Sequence, residues 1–173
     1  CDVLKENNIS YYETGIDHGT IIAVIDKYKF EITSLRKDTQ TDGRHAKVKF
    51  SKDWKEDALR RDFTINSIYS DKEGNLFDPF NGKKDLENGL INFIGDADIR
   101  IKEDYLRILR YLRFFSNYSK HPHNTDNLRK LKINIGGVSK LSKERLLDEL
   151  KKIVKLETLE KLVKDKSSLD LTL

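Results

Sequence analysis

Between Glu103 and Arg113 the sequence sets two carboxylates and three guanidiniums at helical spacing: Glu103, Asp104, Arg107, Arg110 and Arg113. Read as one continuous helix at about 100° per residue, Ile101 to Phe115 puts Tyr105, Ile108, Leu109, Leu112 and Phe115 on a core-facing arc and the arginines opposite. Successive arginines lag by roughly 60° and climb about 4.5 Å, so they wind slowly round the helix. Asp104 to Arg113 covers about 14 Å, close to the reach of a nucleoside triphosphate from base edge to phosphates. A carboxylate only accepts hydrogen bonds and a guanidinium only donates them. Cytosine and adenine each present an amino donor beside a ring-nitrogen acceptor, whereas uracil and guanine present a carbonyl beside an N–H. A pair spaced like Asp104 and Arg107 therefore suits C and A and repels U and G. The same spacings also describe ordinary surface ion pairs, Glu103 with Arg107 and Asp104 with Arg107, worth roughly 0.2–0.5 kcal/mol each.

Two further groups bear on that choice. Arg60-Arg-Asp-Phe-Thr-Ile-Asn66 interleaves Arg61, Asp62 and Asn66 with apolar Phe63 and Ile65, bringing charge close to core. Half-buried arginines need partners, and either a triphosphate or an acidic side chain would serve. In Lys29 to Leu35, read as a strand, Glu31 faces away from Phe30 and Ile32. It is either a solvated edge residue or a carboxylate aimed at a metal.

The supporting elements follow from periodicity and punctuation. Asp2 to Asn8 reads as the tail of a helix. Thr20 to Ile25 and Lys29 to Leu35 read as strands rich in branched residues, with a hairpin turn at Asp26-Lys27. Arg36 to Ala46 is polar and aperiodic, a mobile loop, before a short strand, Lys47 to Phe50. Trp54 to Arg60 is a helix with acidic residues at its start. Leu76-Phe-Asp-Pro-Phe-Asn-Gly82 ends a strand in a tight bend, Asp85 to Asn88 is one helical turn ended by Gly89, and Leu90 to Ile94 is an apolar strand. The helix carrying the arginines runs to about Tyr118. Another covers Thr125 to Ile135, stopped by Gly136-Gly137. A third starts at an N-cap, Ser142, and carries an apolar stripe of Leu146, Leu147, Leu150 and Ile153, and Lys155 to Lys166 continues helically. Asp96-Ala-Asp98 is a helix-start device. His18 shapes a turn, His45, His121 and His123 face solvent, and Trp54 packs. The change near residue 94 from strands and loops to helices marks a domain boundary.

Composition bounds the reading. A chain of 173 residues with 36% charged residues and regularly spaced aliphatics is globular, with one or two small domains. Its net charge of +4 and pI near 9.0 favour polyanionic partners without requiring them. With Cys1 the single cysteine, no intrachain disulfide forms and a reducing, cytoplasmic setting fits. No apolar run approaches the ~20 residues of a membrane span, so no membrane partner is expected.

From about Tyr11 to Leu150 the sequence resembles the class II tRNA nucleotidyltransferases, the CCA-adding enzymes and bacterial poly(A) polymerases. The matching segments stand in the family's order: Thr14-Gly-Ile-Asp-His-Gly-Thr20, Phe30-Glu-Ile-Thr-Ser-Leu-Arg36, the mobile segment Asp42-Gly-Arg-His45 and Arg60-Arg-Asp-Phe-Thr-Ile-Asn66. Asp78-Pro, Gly82, Asp85-Leu and Gly89 resemble the hinge between head and neck. Glu103-Asp-x-x-Arg107, continuing to Arg110 and Arg113, resembles the base-reading motif, and Ser142-Lys-Glu-Arg145 with Asp148-Glu-Leu150 the neck helix that braces it. The resemblance implies an α+β chain. An incomplete polymerase-β-like nucleotidyltransferase head would occupy residues 1–93, an all-helical neck 94–155 and the start of a helical body 156–173.

The implied reaction is attack of a tRNA 3′-hydroxyl on the α-phosphate of CTP or ATP, with two Mg2+ ions and release of pyrophosphate. Asp104 and Arg107 would contact the base, with Glu103 orienting Arg107. Arg110 and Arg113 would hold phosphates or brace the nucleotide. Arg61 would contact the triphosphate and Asp62 the ribose 2′-hydroxyl, with Asn66 nearby. The family's first motif, a Gly-Gly-x-Val-Arg-Asp turn and a strand with Asp-x-Asp that binds the metals, is not in this sequence and would precede Cys1. We therefore expect a fragment that is inactive alone, with Glu31 at most a third metal carboxylate. Poly(A) addition, a non-catalytic RNA-binding remnant and a purely structural helical module are the alternatives.

Overall fold

A computed structural model describes residues 1–41, 46–154 and 164–165. The chain forms two compact units, Cys1–Gln40 with Ala46–Arg60, and a second from Arg61 onward.

The first unit begins with a short helix, α1 (Asp2–Glu6), and a three-stranded antiparallel sheet in the order β1 (Ser10–Gly15), β2 (Thr20–Ile25), β3 (Tyr28–Thr33). Asp26 and Lys27 both take positive φ, 48° and 70°, and close β2 onto β3 with Ile25 opposite Tyr28, the conformation that two-residue hairpins favour. The polar stretch expected to be a loop is a strand, β4 (Arg36–Thr41), paired with β5 (Ala46–Phe50). Ladder hydrogen bonds come from the main chain, so a strand needs no apolar alternation once it has a neighbour. The segment Asp42 to His45 lies outside the described residues. Helix α2 (Trp54–Leu59) is capped by Asp53, which accepts from the Lys55 amide at 2.8 Å. In its first turn, buried Asp57 binds Arg60 and the Arg36 amide.

The second unit opens on Arg61–Phe63, a single 3-10 turn at Thr64–Asn66 and a small hairpin of β6 (Tyr69–Ser70) and β7 (Leu76–Phe77). Helix α3 (Gly82–Asn88) ends at Gly89, whose φ of 68° is the left-handed cap that ends many helices. Leu90 to Ile94 is no regular strand. It meets the opening segment through one bridge, Phe63 opposite Phe93, with the Thr64 amide bonded to the Asn92 carbonyl and the Ile94 amide to that of Asp62. Main-chain bonds thus pin Asp62–Thr64 beside the core.

The helix expected to run unbroken from residue 101 is two helices, α4 (Ala97–Glu103) and α5 (Leu106–Tyr118), separated at Asp104 by extended backbone (φ −155°, ψ 106°). Asp104 does the work of a cap: its Oδ1 accepts from the Leu106 amide at 3.2 Å and its carbonyl from the Arg107 amide at 3.1 Å. Short acidic side chains compete with helix in this way. Tyr105 then turns against Gly137, where the ring lies so close that a β-carbon would collide with it.

Helix α6 (Thr125–Asn134) continues into a 3-10 segment, Ile135–Lys140, so Gly136-Gly137 tightens the helix instead of stopping it. Helix α7 (Lys143–Ile153) starts at Ser142. Its expected apolar stripe is only partly covered: Ile153 is buried, Leu147 and Leu150 are exposed, and the deeply buried side chain is Glu149. The helical continuation beyond Val154 falls mostly outside the described residues.

Phe63, Ile91, Phe93, Ala97, Ile101, Ile108, Tyr111, Leu112 and Leu131 form the core of this unit. His123, expected at the surface, is buried there. It stacks on Phe115 at 3.5 Å, its Nδ1 is 3.1 Å from the Tyr111 hydroxyl and its Nε2 is 2.6 Å from an Asp165 oxygen. A carboxylate and a hydroxyl satisfy both ring nitrogens, which lets an imidazole enter an apolar core.

Candidate functional site

The arginines of α5 do not line a solvent-facing rail. Each is half-buried and paired with an acid from a different element. Arg107 donates through Nη1 to Glu103 Oε2 at 2.7 Å and to the Arg100 carbonyl at 2.5 Å. Arg110 donates through Nε to Asp62 at 2.5 Å, across 48 residues of sequence. Arg113 donates to Glu149 of α7 at 2.6 Å, and Lys152 approaches the same carboxylate at 3.4 Å. The Phe114 ring lies beneath two of these cations, 5.5 Å from the Arg110 guanidinium and 4.3 Å from that of Arg113, positions in which a ring face attracts positive charge.

Asp104 is not paired with Arg107. Its Oδ2 accepts from Arg145 Nη2 of α7 at 2.7 Å while Oδ1 serves the start of α5. The i,i+3 pairing inferred for a straight helix fails because Asp104 has left it. Each oxygen of an ionised carboxylate has two lone pairs, so both retain acceptor capacity.

The segment from Arg61 to Asn66 supplies the other wall. Arg61 donates to the Tyr69 hydroxyl at 3.1 Å and to the Asn66 carbonyl at 3.2 Å, with its guanidinium 5.1 Å from the centre of the Tyr69 ring. Asp62 accepts from Arg110, from Asn66 Nδ2 at 2.8 Å and from the Phe63 amide at 3.0 Å. Burial pushes the Asp62 carboxyl upward, but the Arg110 ion pair with the Asn66 and Phe63 bonds outweighs it and holds the group below the usual carboxylate range. Burial pushes Arg110 down, and Asp62 more than restores it. Asp62, Asn66 and Arg110 therefore form one unit, and Glu103, Arg107 and Arg100 another.

Sequence reasoning missed Arg100. It also missed Arg145 as the partner of Asp104, and Glu149 as the buried anchor of Arg113. Arg100 had a signal, since it stands three residues before Glu103 and seven before Arg107. The other two pairs join residues 41 and 36 apart, which helical spacing does not relate. Asp96 caps α4 by accepting from the Ile99 amide at 3.1 Å, as its sequence position implied.

Residues 2–92, more than half of the chain, match the poly(A) polymerase head domain. The chain belongs to that family. Over 142 residues it is 50% identical to the human mitochondrial CCA tRNA nucleotidyltransferase 1, covering 81% of this chain and 33% of that protein. Over 143 residues it is 43% identical to the CCA-adding enzyme of Staphylococcus haemolyticus, covering 82% and 36%. Its fold matches a crystal structure of the Bacillus stearothermophilus CCA-adding enzyme in complex with CTP, with TM-score 0.75 and 30% identity, covering 88% of this chain and 37% of that one. It also matches the fold of the Thermotoga maritima CCA-adding enzyme complexed with tRNA, at TM-score 0.62 and 23% identity, covering 92% and 36%. The chain thus spans about a third of the length of these relatives. The α+β fold of a class II head followed by helices is the one expected from the motifs. No helix among the described residues is long and apolar enough to cross a membrane.

Among the described residues no three His, Cys, Asp or Glu side chains gather as a metal-binding set. Glu31 stands on exposed β3, opposite Ile22. These described residues do not make up the two-magnesium centre that the resemblance implies.

Proposed function

We propose that this chain is the nucleotide-selecting part of a template-independent RNA nucleotidyltransferase. The whole protein adds CMP and AMP to the 3′ end of tRNA from CTP and ATP, in a reducing compartment such as the cytoplasm. Residues 1–93 act as head, 94–155 as neck and 156–173 as the start of the body. One observation carries the reading. A carboxylate with spare lone pairs, Asp104, and an oriented guanidinium, Arg107, adjoin the break between α4 and α5, each held by a partner that fixes it without saturating it. The high identity to CCA-adding enzymes supports it.

In this reading Asp104 accepts the amino group of cytosine or adenine and Arg107 donates to the neighbouring ring nitrogen. Glu103 fixes the plane of Arg107. Arg61 meets the triphosphate and Asp62, with Asn66, the ribose hydroxyl. Arg110 and Arg113 neutralise phosphate charge while bracing Asp62 and α7. The tRNA 3′-oxygen attacks the α-phosphate, forming the new phosphodiester and releasing pyrophosphate. Magnesium belongs to residues other than this selecting set, with Glu31 at most an additional carboxylate, and the chain alone is inactive.

The test is titration calorimetry of the full-length protein with CTP, ATP, UTP and GTP, followed by extension of a tRNA lacking its CCA end. Selective binding of CTP and ATP, abolished in Asp104→Ala, is expected. Equal affinity for all four nucleotides, or wild-type selectivity in Asp104→Ala, would overturn the reading. Because the matched family is that of poly(A) polymerase heads, AMP-only addition is the second reading, and the extension products separate the two.

A further inference from the structure

Arg100, in one unit with Glu103 and Arg107, touches both walls of the site. It lies in the last turn of α4 with its side chain 13% exposed. Nη2 donates to the main-chain carbonyl of Arg61 at 2.6 Å, and Nη1 to Glu103 Oε2 at 2.6 Å. That same Glu103 oxygen accepts from Arg107 Nη1 at 2.7 Å, and Arg107 Nη1 also reaches the Arg100 carbonyl at 2.5 Å. The result is a closed circuit. Arg100 and Arg107 share one carboxylate oxygen, and the main chain of one holds the side chain of the other.

The break in the helix makes this circuit possible. In an unbroken α-helix the Arg100 carbonyl would accept from the Asp104 amide. Here the Asp104 amide bonds instead to the Ile101 carbonyl at 3.2 Å. The Arg100 carbonyl is left as one of the orphan acceptors at a helix end, and Arg107 takes it. A planar guanidinium presents several N–H donors at fixed angles, so it can hold two acceptors at once where an ammonium on a flexible stem cannot fix both.

We propose that Arg100 is a positioning residue for nucleotide selection: it sets the Arg107 guanidinium relative to the Arg61–Asp62 segment, so that base reading and triphosphate contact occur in one register. The inference rests on the base-reading role of Asp104 and Arg107 given above. Loss of the bridge leaves Glu103 as the side-chain tether of Arg107. Displacements of about 1 Å in a positioned group can change rates by about a hundredfold, so discrimination should fall further than affinity.

The experiment uses the full-length protein and measures the ratio of UTP to CTP dissociation constants, with the thermal midpoint recorded in parallel. Arg100→Gln should reduce that ratio about tenfold or more, and Arg100→Lys should fall between it and wild type. In Arg100→Gln with Arg107→Ala the loss should be no greater than in Arg107→Ala alone. Lys102→Ala, which removes an exposed pair with Asp98 on the same helix, should leave the ratio unchanged. If Arg107→Ala loses selectivity while Arg100→Gln retains it, the positioning role is overturned and the base-reading assignment stands. If Arg107→Ala itself keeps wild-type selectivity, the base-reading assignment falls and takes this inference with it. Should Arg100→Gln fail to fold, Arg100→Lys decides: a wild-type ratio would overturn the bridge, a reduced one at unchanged thermal midpoint would support it.

Discussion

The three-stranded sheet and the helical unit treat their apolar residues in opposite ways. By register, Tyr11, Ile21, Ala23, Ile25, Tyr28, Phe30 and Ile32 share one face of the sheet. Of these, Ala23 alone is fully buried, while Tyr28 is 72% exposed and Phe30 49%. In the helical unit Phe63, Ile101, Ile108 and Leu131 are each 0% exposed. Ladder bonds and a two-residue turn are enough to define the sheet, but the stabilisation that scales with apolar area removed from water is concentrated in the helices. The charged groups follow the same division. Around α5 they are half-buried and paired across the fold, whereas Glu31 stands exposed.

Mutations can sharpen or break that contrast, the largest effect first. Tyr111→Ala empties the centre of the helical core and should cost about 3–5 kcal/mol in chemical denaturation. A cost near zero would mean that this core does not carry the unit. Glu149→Ala strands Arg113 beside a buried site, and removing one partner of a buried pair costs about 3–5 kcal/mol. Because Arg113 keeps some solvent contact, with 16% of its side chain exposed, the lower end is expected, together with weakened selectivity if α7 braces the reader.

A smaller effect concerns pH. Burial holds His123 below its usual range, with Asp165 opposing, so the folded state prefers the neutral ring. As pH falls below the unfolded value of about 6.5 the unfolded chain takes up the proton first. Stability is therefore full above that pH and declines as pH falls towards the folded value. Thermal midpoints across this window should show the decline in wild type and a flatter profile in His123→Gln. The smallest effect belongs to Phe30→Ala on the open sheet face, expected within about 0.5 kcal/mol. Amide exchange should likewise be faster in β2 and β3 than in α5. A large loss from Phe30→Ala would show that the sheet face is covered in the full-length protein.

Much of the layout was legible from local rules. The strand pair around Asp26-Lys27, the helix starts at Asp96 and Ser142 and the inward arc of α5 all depend on neighbours within a few residues. The errors share a cause. Asp104 sits in an unbroken helical pattern, and only its bonds to Leu106 and Arg145 take it out. β4 has no apolar alternation to announce it and relies on pairing with β5. His123 reads as polar until Tyr111 and Asp165 satisfy its nitrogens.

By itself the sequence determined which residues can accept and which can donate at the site, and in what family order they stand. Side-chain chemistry and short-range geometry are written in it directly. Only the tertiary structure decided their partners: Arg110 with Asp62, Arg113 with Glu149, Arg145 with Asp104, and Arg100 across to the Arg61 carbonyl. Ion pairs between residues dozens of positions apart depend on how helices pack, and helical periodicity does not reach that far.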